Sequence, residues 1–277
     1  MSAHTKDHQY RRIGSDKPFL CGLIGFTAIY GLLICLLIIA SASHITWSDL
    51  IGAMTSKSIQ QSLTLTFLTC TCSAILSLLF AIPIGYSLSR FKFRGHTLLD
   101  TLLDIPIILP PLVVGLSLLI LFNSFPTREG ALEGWLNQHG IYITFHIPAI
   151  ILAQFTVAAA FAVRSMKNTF DHISPRSELV GLTLGCNRSQ AFWKITLPQA
   201  GRGVLSAGVL AWARALGEFG PILIFAGATR GRTEVLATSV FLEINIGNLG
   251  GAAAVSLLLI TLAIATILII RTVGDRT

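Results

Sequence analysis

Residues 178–198 read ELVGLTLGCNRSQAFWKITLP, a polar, basic stretch set between long apolar runs. Just upstream, Ser174-Pro175 is a helix-start signal: a Ser cap followed by Pro at the first helical position, where no amide donor is needed. Glu178 falls in the first turn, where the helix dipole favours a carboxylate. Gly185 permits a sharp bend or a positive φ. After nine more residues comes Ile195-x-Leu197-Pro198, where Pro198 is expected to push Leu197 out of helical geometry and turn the chain back towards an apolar run. The stretch therefore predicts a helix, a glycine bend and a second short helix. Such a knob, projecting from an otherwise apolar chain, needs a partner.

The surrounding chain is membrane-like. Of its 277 residues, 53% are hydrophobic and 12% charged, against about 25% charged in soluble domains. Six apolar runs reach the roughly 18 residues that span a bilayer: about 19–40, 62–88, 98–122, 143–163, 204–226 and 252–270. The first could pass for a signal peptide, with Arg11 and Arg12 before it and Ala40-Ser41-Ala42 after it. It is longer than a signal core of about 7–15 residues, so it reads as an uncleaved span. The second run carries Ser62, Thr64, Thr66, Thr69, Thr71, Ser73 and Ser77, hydroxyls expected to bond back to their own helix or across to a neighbour. The third holds Pro106, Pro110 and Pro111, which predict kinks or breaks. Residues 1–17 read as a polar N-terminal tail and 18–277 as one transmembrane domain, with the basic loop at about 164–203.

Charge places the loop. With the N-terminus on the cytoplasmic side, fifteen of the twenty Lys and Arg residues are cytoplasmic, among them Arg11, Arg90, Arg94, Arg164, Arg188 and Arg271. Only Lys57, Arg128, Arg230 and Arg232 lie outside, and Arg214 lies within a span. This obeys the positive-inside rule with both termini inside. It puts the 178–198 stretch in the cytoplasm, and it accounts for the +7 net charge by membrane orientation rather than nucleic-acid binding. The five cysteines (Cys21, Cys35, Cys70, Cys72 and Cys186) have no framework spacing and read as small buried hydrophobes. Cys70 and Cys72 should project to different sides of their helix.

The Glu178…Gly185…Ile195-x-Leu197-Pro198 pattern resembles the EAA loop of ATP-binding-cassette importer permeases. Ser62-Leu63-x-x-Thr66 and Ile82-Pro83-x-Gly85-Tyr86-x-Leu88-x-Arg90 resemble the two ends of that family's second span, and residues 106–115 (PIILPPLVVG) are similar too. Residues 211–227 (AWARALGEFGPILIFAG), followed by Thr233-Glu234-Val235-Leu236, resemble the molybdate, tungstate and sulfate branch, and the first two anions most. The resemblance implies an all-α integral membrane protein of six transmembrane helices with the type I importer permease fold. It implies a bacterial cell-membrane location, a second permease copy, a cytoplasmic ATPase subunit that holds ATP and magnesium, and an extracytoplasmic binding protein. It assigns Glu178, Val180, Gly181, Gly185, Ile195, Leu197 and Pro198 to coupling with the ATPase. Val180 and Gly181 stand where relatives carry small Ala residues; Gly costs about 1 kcal/mol in a helix relative to Ala, which puts the stability of the first short helix in doubt.

Arg214 and Glu218, four apart, are expected to share a helix face inside the fifth span. Ionisable groups at that depth pair and face inward. With Gly220 and Pro221 beside them, they either line and gate an anion path or form an ion pair that fixes helix packing. Arg230 and Arg232 either attract anions or a binding protein at the outer mouth, or belong to a solvated loop. No Lys follows a Gly, so no Walker-type phosphate loop occurs, and no Ser-His-Asp grouping is evident. The chain reads as a permease subunit and not an enzyme, with no cofactor of its own. A membrane enzyme or an ion-coupled secondary transporter is the competing class. It would need clustered ionisable groups within the spans, and it would be recognised by uptake driven by a proton or sodium gradient alone.

Overall fold

A computed structural model describes residues 17–43, 45–125 and 132–274. Residues 1–16 of the expected tail, Arg11 among them, and Arg128 of the outer side lie outside the described residues, and Lys17 opens the first helix. The regular elements among the described residues are all helical. Contacts divide the chain into two units at residues 44 and 45.

The first unit is helix α1 (Lys17–Ser43), 27 residues long and apolar on every face. It continues through Ala40-Ser41-Ala42, as expected of an uncleaved span. Phe19, Phe26 and Tyr30 are among its exposed side chains.

The second unit contains α2 (Trp47–Thr55), α3 (Lys57–Arg90), α4 (His96–Ile108), α5 (Pro111–Ser124), α6 (Leu132–Gln138) and α7 (Ile147–His172). Then come α8 (Arg176–Thr183), α9 (Arg188–Ala191), a π-helical turn (Phe192–Thr196), α10 (Leu197–Gln199), α11 (Gly201–Leu216), α12 (Gly220–Phe225), α13 (Leu236–Asn245) and α14 (Leu249–Gly274). Among the described residues four helices, α1, α3, α7 and α14, are long and apolar enough to cross a bilayer unaided, and a fifth span is reached by counting the bent pair α4–α5 as one.

The other two expected spans are broken. The third is the pair α4–α5, bent by 111° where Leu109 and Pro110 take extended backbone (ψ 138° and 133°), as the prolines required. The fifth is split into α11 and α12. Pro221 supplies no amide donor, and within a continuous helix its ring would meet the carbonyl of Gly217; α11 therefore ends at Leu216, and α12 restarts with Pro221 in its first turn. The two breaks pack on each other. A Cβ on Gly115 would lie 2.8 Å from Pro221 Cα, and one on Gly220 would lie 3.1 Å from Pro111 Cβ. Small residues let backbones approach where lipid supplies no hydrophobic drive for helix association.

The core of the unit is α3 laid along α7, with α11 against both. Cys70, Ala74 and Ala81 of α3 meet Ala158, Ala162 and Met166 of α7 and Ala207, Ala211 and Ala215 of α11. Buried Gln154 joins the three helices: its amide donates to Ala215 O (3.2 Å) and Cys70 Sγ (3.4 Å), and its Oε1 accepts from Ser73 Oγ (3.2 Å). Hydroxyls of the second run behave as expected except Ser77, whose buried Oγ has no hydrogen-bond partner. Thr66 and Thr71 bond back to Ser62 O and Phe67 O, while Ser73 reaches across to Ile151 O. The cysteine reading needs correction: Cys70 is buried, but Cys21, Cys35 and Cys72 are exposed. An apolar thiol facing lipid has no reason to be inside. Cys70 and Cys72 do face different ways.

Gly85 sets the α3–α7 approach. A Cβ there would meet Met166 Cβ at 2.8 Å and Lys167 N at 2.9 Å, and backbone cannot swing aside. Gly85→Leu is expected to lower stability by about 1–3 kcal/mol, read as an earlier thermal transition of the protein in detergent. Gly134→Leu on α6, with nothing within 4 Å, should leave the transition in place.

Candidate functional site

The 178–198 stretch forms a hairpin of short helices at the Arg90 end of α3. Ser174 and Pro175 open it: Pro175 has helical backbone (φ −62°, ψ −16°) and Ser174 Oγ accepts weakly from Arg176 N at 3.4 Å. Gly185 has φ +93°, the left-handed conformation that a side chain resists. Asn187 caps α9, its Oδ1 accepting from Gln190 N at 2.8 Å while Asn187 N donates to Gln190 Oε1 at 3.0 Å.

The end of the hairpin departs from expectation. Leu197, just before Pro198, stays helical (φ −65°, ψ −42°). The preceding turn has widened into a π-helix, with Leu197 N donating to Phe192 O. A widened turn gives the proline ring room that an α turn denies it. The loop is also shorter than 164–203, because α7 runs on to His172. Its last turns are held by charge: Lys167 Nζ donates to Asp100 Oδ2 at 2.6 Å, and Arg164 pairs with Asp100 and Asp104 on α4.

Glu178 is the fastener of the hairpin. Its Oε1 accepts from Thr196 Oγ1 (2.6 Å) and Arg90 Nε (3.3 Å), and its Oε2 accepts from Tyr86 OH (3.2 Å). Arg90 Nη2 also donates to Ile173 O at 2.8 Å. One carboxylate thus ties the end of α3, the first short helix and the π turn together. With its side chain 14% exposed, it faces the protein and not a partner. Tyr86 rings against Phe192 at 4.6 Å, with Phe91 and Phe170 at 6.0 and 5.6 Å. A cavity of about 180 Å³ remains beneath, bounded by Tyr86, Phe91, Leu182 and Arg188. Gly181 answers the doubt about α8: a Cβ there would lie 2.5 Å from Ile195 Cδ1. The glycine is the seat of Ile195, and α8 is intact across it.

The hairpin's outward surface mixes apolar side chains with exposed Arg176, Arg188, Gln190 and Lys194. Leu179, Val180, Leu184 and Trp193 are 58%, 57%, 80% and 63% exposed, and Pro198 is exposed beside them. Leu197 is half-buried. The sequence motif thus divides in two: Glu178, Gly181, Gly185 and Ile195 build the knob, while Val180 and Pro198 lie on its surface. Tyr86, Arg90 and Thr196 were missed as Glu178's partners. The signal was present, because Tyr86 and Arg90 are polar, four apart and on one face at the end of a span.

Arg214 and Glu218 do pair, at 2.8 Å, but not along one helix. Arg214 closes α11, and Glu218 lies in the break after it. Glu218 is 1% exposed, and its Oε1 sits off the N–H direction and lacks a hydrogen bond. Arg214 is partly exposed and lies over the Phe161 ring at 5.4 Å. Gly220 and Pro221 are buried against α5. Among the described residues no group of three or more metal-ligating side chains is found.

Residues 78–277 match the family described as "Binding-protein-dependent transport system inner membrane component". The chain is 35% identical over 240 residues to the molybdenum transport system permease protein ModB of Mycobacterium bovis, covering 87% of this chain and 88% of that one. It is 28% identical to the sulfate transport system permease protein CysT of Escherichia coli, with 92% and 94% covered. The fold matches a chain in the crystal structure of a bacterial alginate ABC transporter in complex with alginate pentasaccharide-bound periplasmic protein, with TM-score 0.74, 17% identity, and 94% and 95% covered.

Removing the carboxylate strands three donors, two of them on α3. Glu178→Ala is expected to loosen the hairpin by about 1–3 kcal/mol. Hydrogen exchange should show faster amides across 176–199 and unchanged protection in the middle of α7.

Proposed function

The chain belongs to the family of binding-protein-dependent transport system inner membrane components, and from that premise we propose that it is the permease subunit of an ATP-driven oxyanion importer, with molybdate or tungstate as cargo. The observation that carries the mechanism is the Glu178 fastening. It ties the knob, with its exposed apolar residues, to α3 through Tyr86 and Arg90. A force applied to Leu179, Val180, Leu184 and Trp193 is then delivered to a membrane helix rather than absorbed by a loop. The ATPase subunit docks on that surface. It holds ATP and magnesium; this chain supplies no catalysis. Two permease copies and two ATPases make the unit, with both termini and the hairpin in the cytoplasm. Closure of the ATPase dimer brings the two knobs together and opens the spans outward, and hydrolysis returns them.

The anion leaves an extracytoplasmic binding protein and passes the broken spans. Arg214, partly exposed in mid-span, and Glu218 in the break beside Gly220 and Pro221 form the gate. Both breaks carry proline and are already unpaired as helices, so they hinge at low cost. Molybdate or tungstate as cargo is supported by the 211–236 sequence and by the molybdenum permease relative at 35% identity. Sulfate or thiosulfate is the second reading, favoured by the sulfate permease relative that covers 94% of its own length.

Titration of the binding protein encoded beside this permease with molybdate, tungstate and sulfate is the test of cargo. Nanomolar binding of the first two with sulfate silent supports the first reading; tight sulfate binding selects the second, and no oxyanion binding refutes both. For the joint, Gly185→Val forces a β-branched residue into φ +93° with no steric clash. It should insert and bind ATPase, yet hydrolyse ATP with uptake reduced at least tenfold. Gly185→Asn, which tolerates that conformation, should retain most uptake.

A further inference from the structure

At the end of α3 opposite the hairpin, a cavity of about 580 Å³ opens between its first turns and the loop that precedes α13. Lys57, Gln60, Gln61 and Thr64 line one side, and Gly231 and Arg232 the other. We propose that this cavity is a receiving subsite for the tetrahedral oxyanion as it leaves its binding protein. The proposal rests on the importer reading and on the orientation given above.

The charges are sorted to suit an anion. Lys57 and Arg232 are both exposed at the cavity. The carboxylate among the lining residues, Glu234, is 3% exposed, and both its oxygens are held from within: Ser58 Oγ donates to Oε2 (2.6 Å) and Ser239 Oγ to Oε1 (2.8 Å). Arg230, two residues from Arg232, is spent on Glu243 at 2.8 Å and does not line the cavity. The sequence gives Arg230 and Arg232 the same standing; the structure separates them. An ammonium, a guanidinium and side-chain amides are the donors that a tetrahedral oxyanion accepts from.

The wall carrying Arg232 is fixed. Arg232 N, Thr233 N and Glu234 N all donate to Thr229 O, at 3.1, 3.0 and 3.2 Å, and Gly231 turns the chain with φ +73°. Leu236 N donates to Thr66 Oγ1 at 2.9 Å, and Ser58 binds Glu234, so the loop is tied to α3 at two levels. The backbone that carries Arg232 is therefore held in place beside the first turn of α3, which carries Lys57. The cavity is open and far larger than one oxyanion, so it attracts without gripping, as a subsite on a transport path requires. Helix α3 also runs unbroken from Lys57 at this cavity to Tyr86 and Arg90 at the hairpin. The two ends lie about 50 Å apart along it, at 1.5 Å per residue, with Pro83 inside the helix just before Tyr86.

The test uses the complete transporter in proteoliposomes, with molybdate as probe and its binding protein in excess outside. Lys57→Gln/Arg232→Gln is expected to slow molybdate uptake about tenfold at low salt and to flatten its dependence on ionic strength. The affinity of the loaded binding protein for the transporter should change less than about twofold, and the thermal transition should be retained. Lys57→Arg/Arg232→Lys, which keeps both charges, should restore uptake. Unchanged uptake in the Gln variant would overturn the proposal. So would a loss of uptake matched by an equal loss of binding-protein affinity, because the face would then be a protein-docking surface. A wild-type transporter that moves neither molybdate nor sulfate overturns the importer reading along with this one, and that result is visible before any variant is made.

Discussion

One carboxylate organises the hairpin end of this molecule. Glu178 accepts from Tyr86, Arg90 and Thr196 at once, joining two elements nearly a hundred residues apart. An exposed carboxylate–guanidinium contact contributes little, because water competes for both partners. Here the group is mostly shielded, two of its three donors are neutral hydroxyls, and the aromatic cluster of Tyr86, Phe170 and Phe192 excludes solvent on one side. The geometry converts a short surface hairpin, which by itself would be a marginal helix pair, into a rigid extension of α3.

Within the bilayer a different constraint applies. Lipid tails are as apolar as leucine, so helices associate through close approach and a few polar contacts. The α3–α7–α11 core uses both, with alanines and Gly85 at the seams and Gln154 bonded across three helices. The two proline-broken spans use the same rule at their breaks, where Gly115 seats Pro221 and Gly220 seats Pro111. Irregular backbone at membrane depth is tolerated where protein covers it. Here each break covers the other, which also makes their movements interdependent.

The buried acids show how context sets the role of one residue type. Glu178 fastens, and Glu243 neutralises Arg230. Glu234 is turned inward by two serines, and Glu133 holds the amides of Ile143 and Thr144 ahead of α7. Glu218 alone of these combines burial, a cationic neighbour and an oxygen without a hydrogen bond.

By itself the sequence determined everything that follows from composition, periodicity and local backbone preference. Apolar run length established a helical membrane protein, and three prolines announced the break between α4 and α5. Ser174-Pro175 and Gly185 marked the start and the bend of a two-helix knob, because caps and positive φ act within a few residues. Only the tertiary structure decided what depends on pairs distant in the chain: that Glu178 is a fastener and not a contact surface, that Gly181 is the seat of Ile195, and that Arg232 faces a cavity while Arg230 does not. Leu197 shows the boundary between the two. The local rule disfavoured a helix before Pro198, but the hairpin's packing and the Thr196–Glu178 bond hold that turn in place. It widens into a π-helix instead of ending, because a local preference yields to contacts the chain makes only once folded.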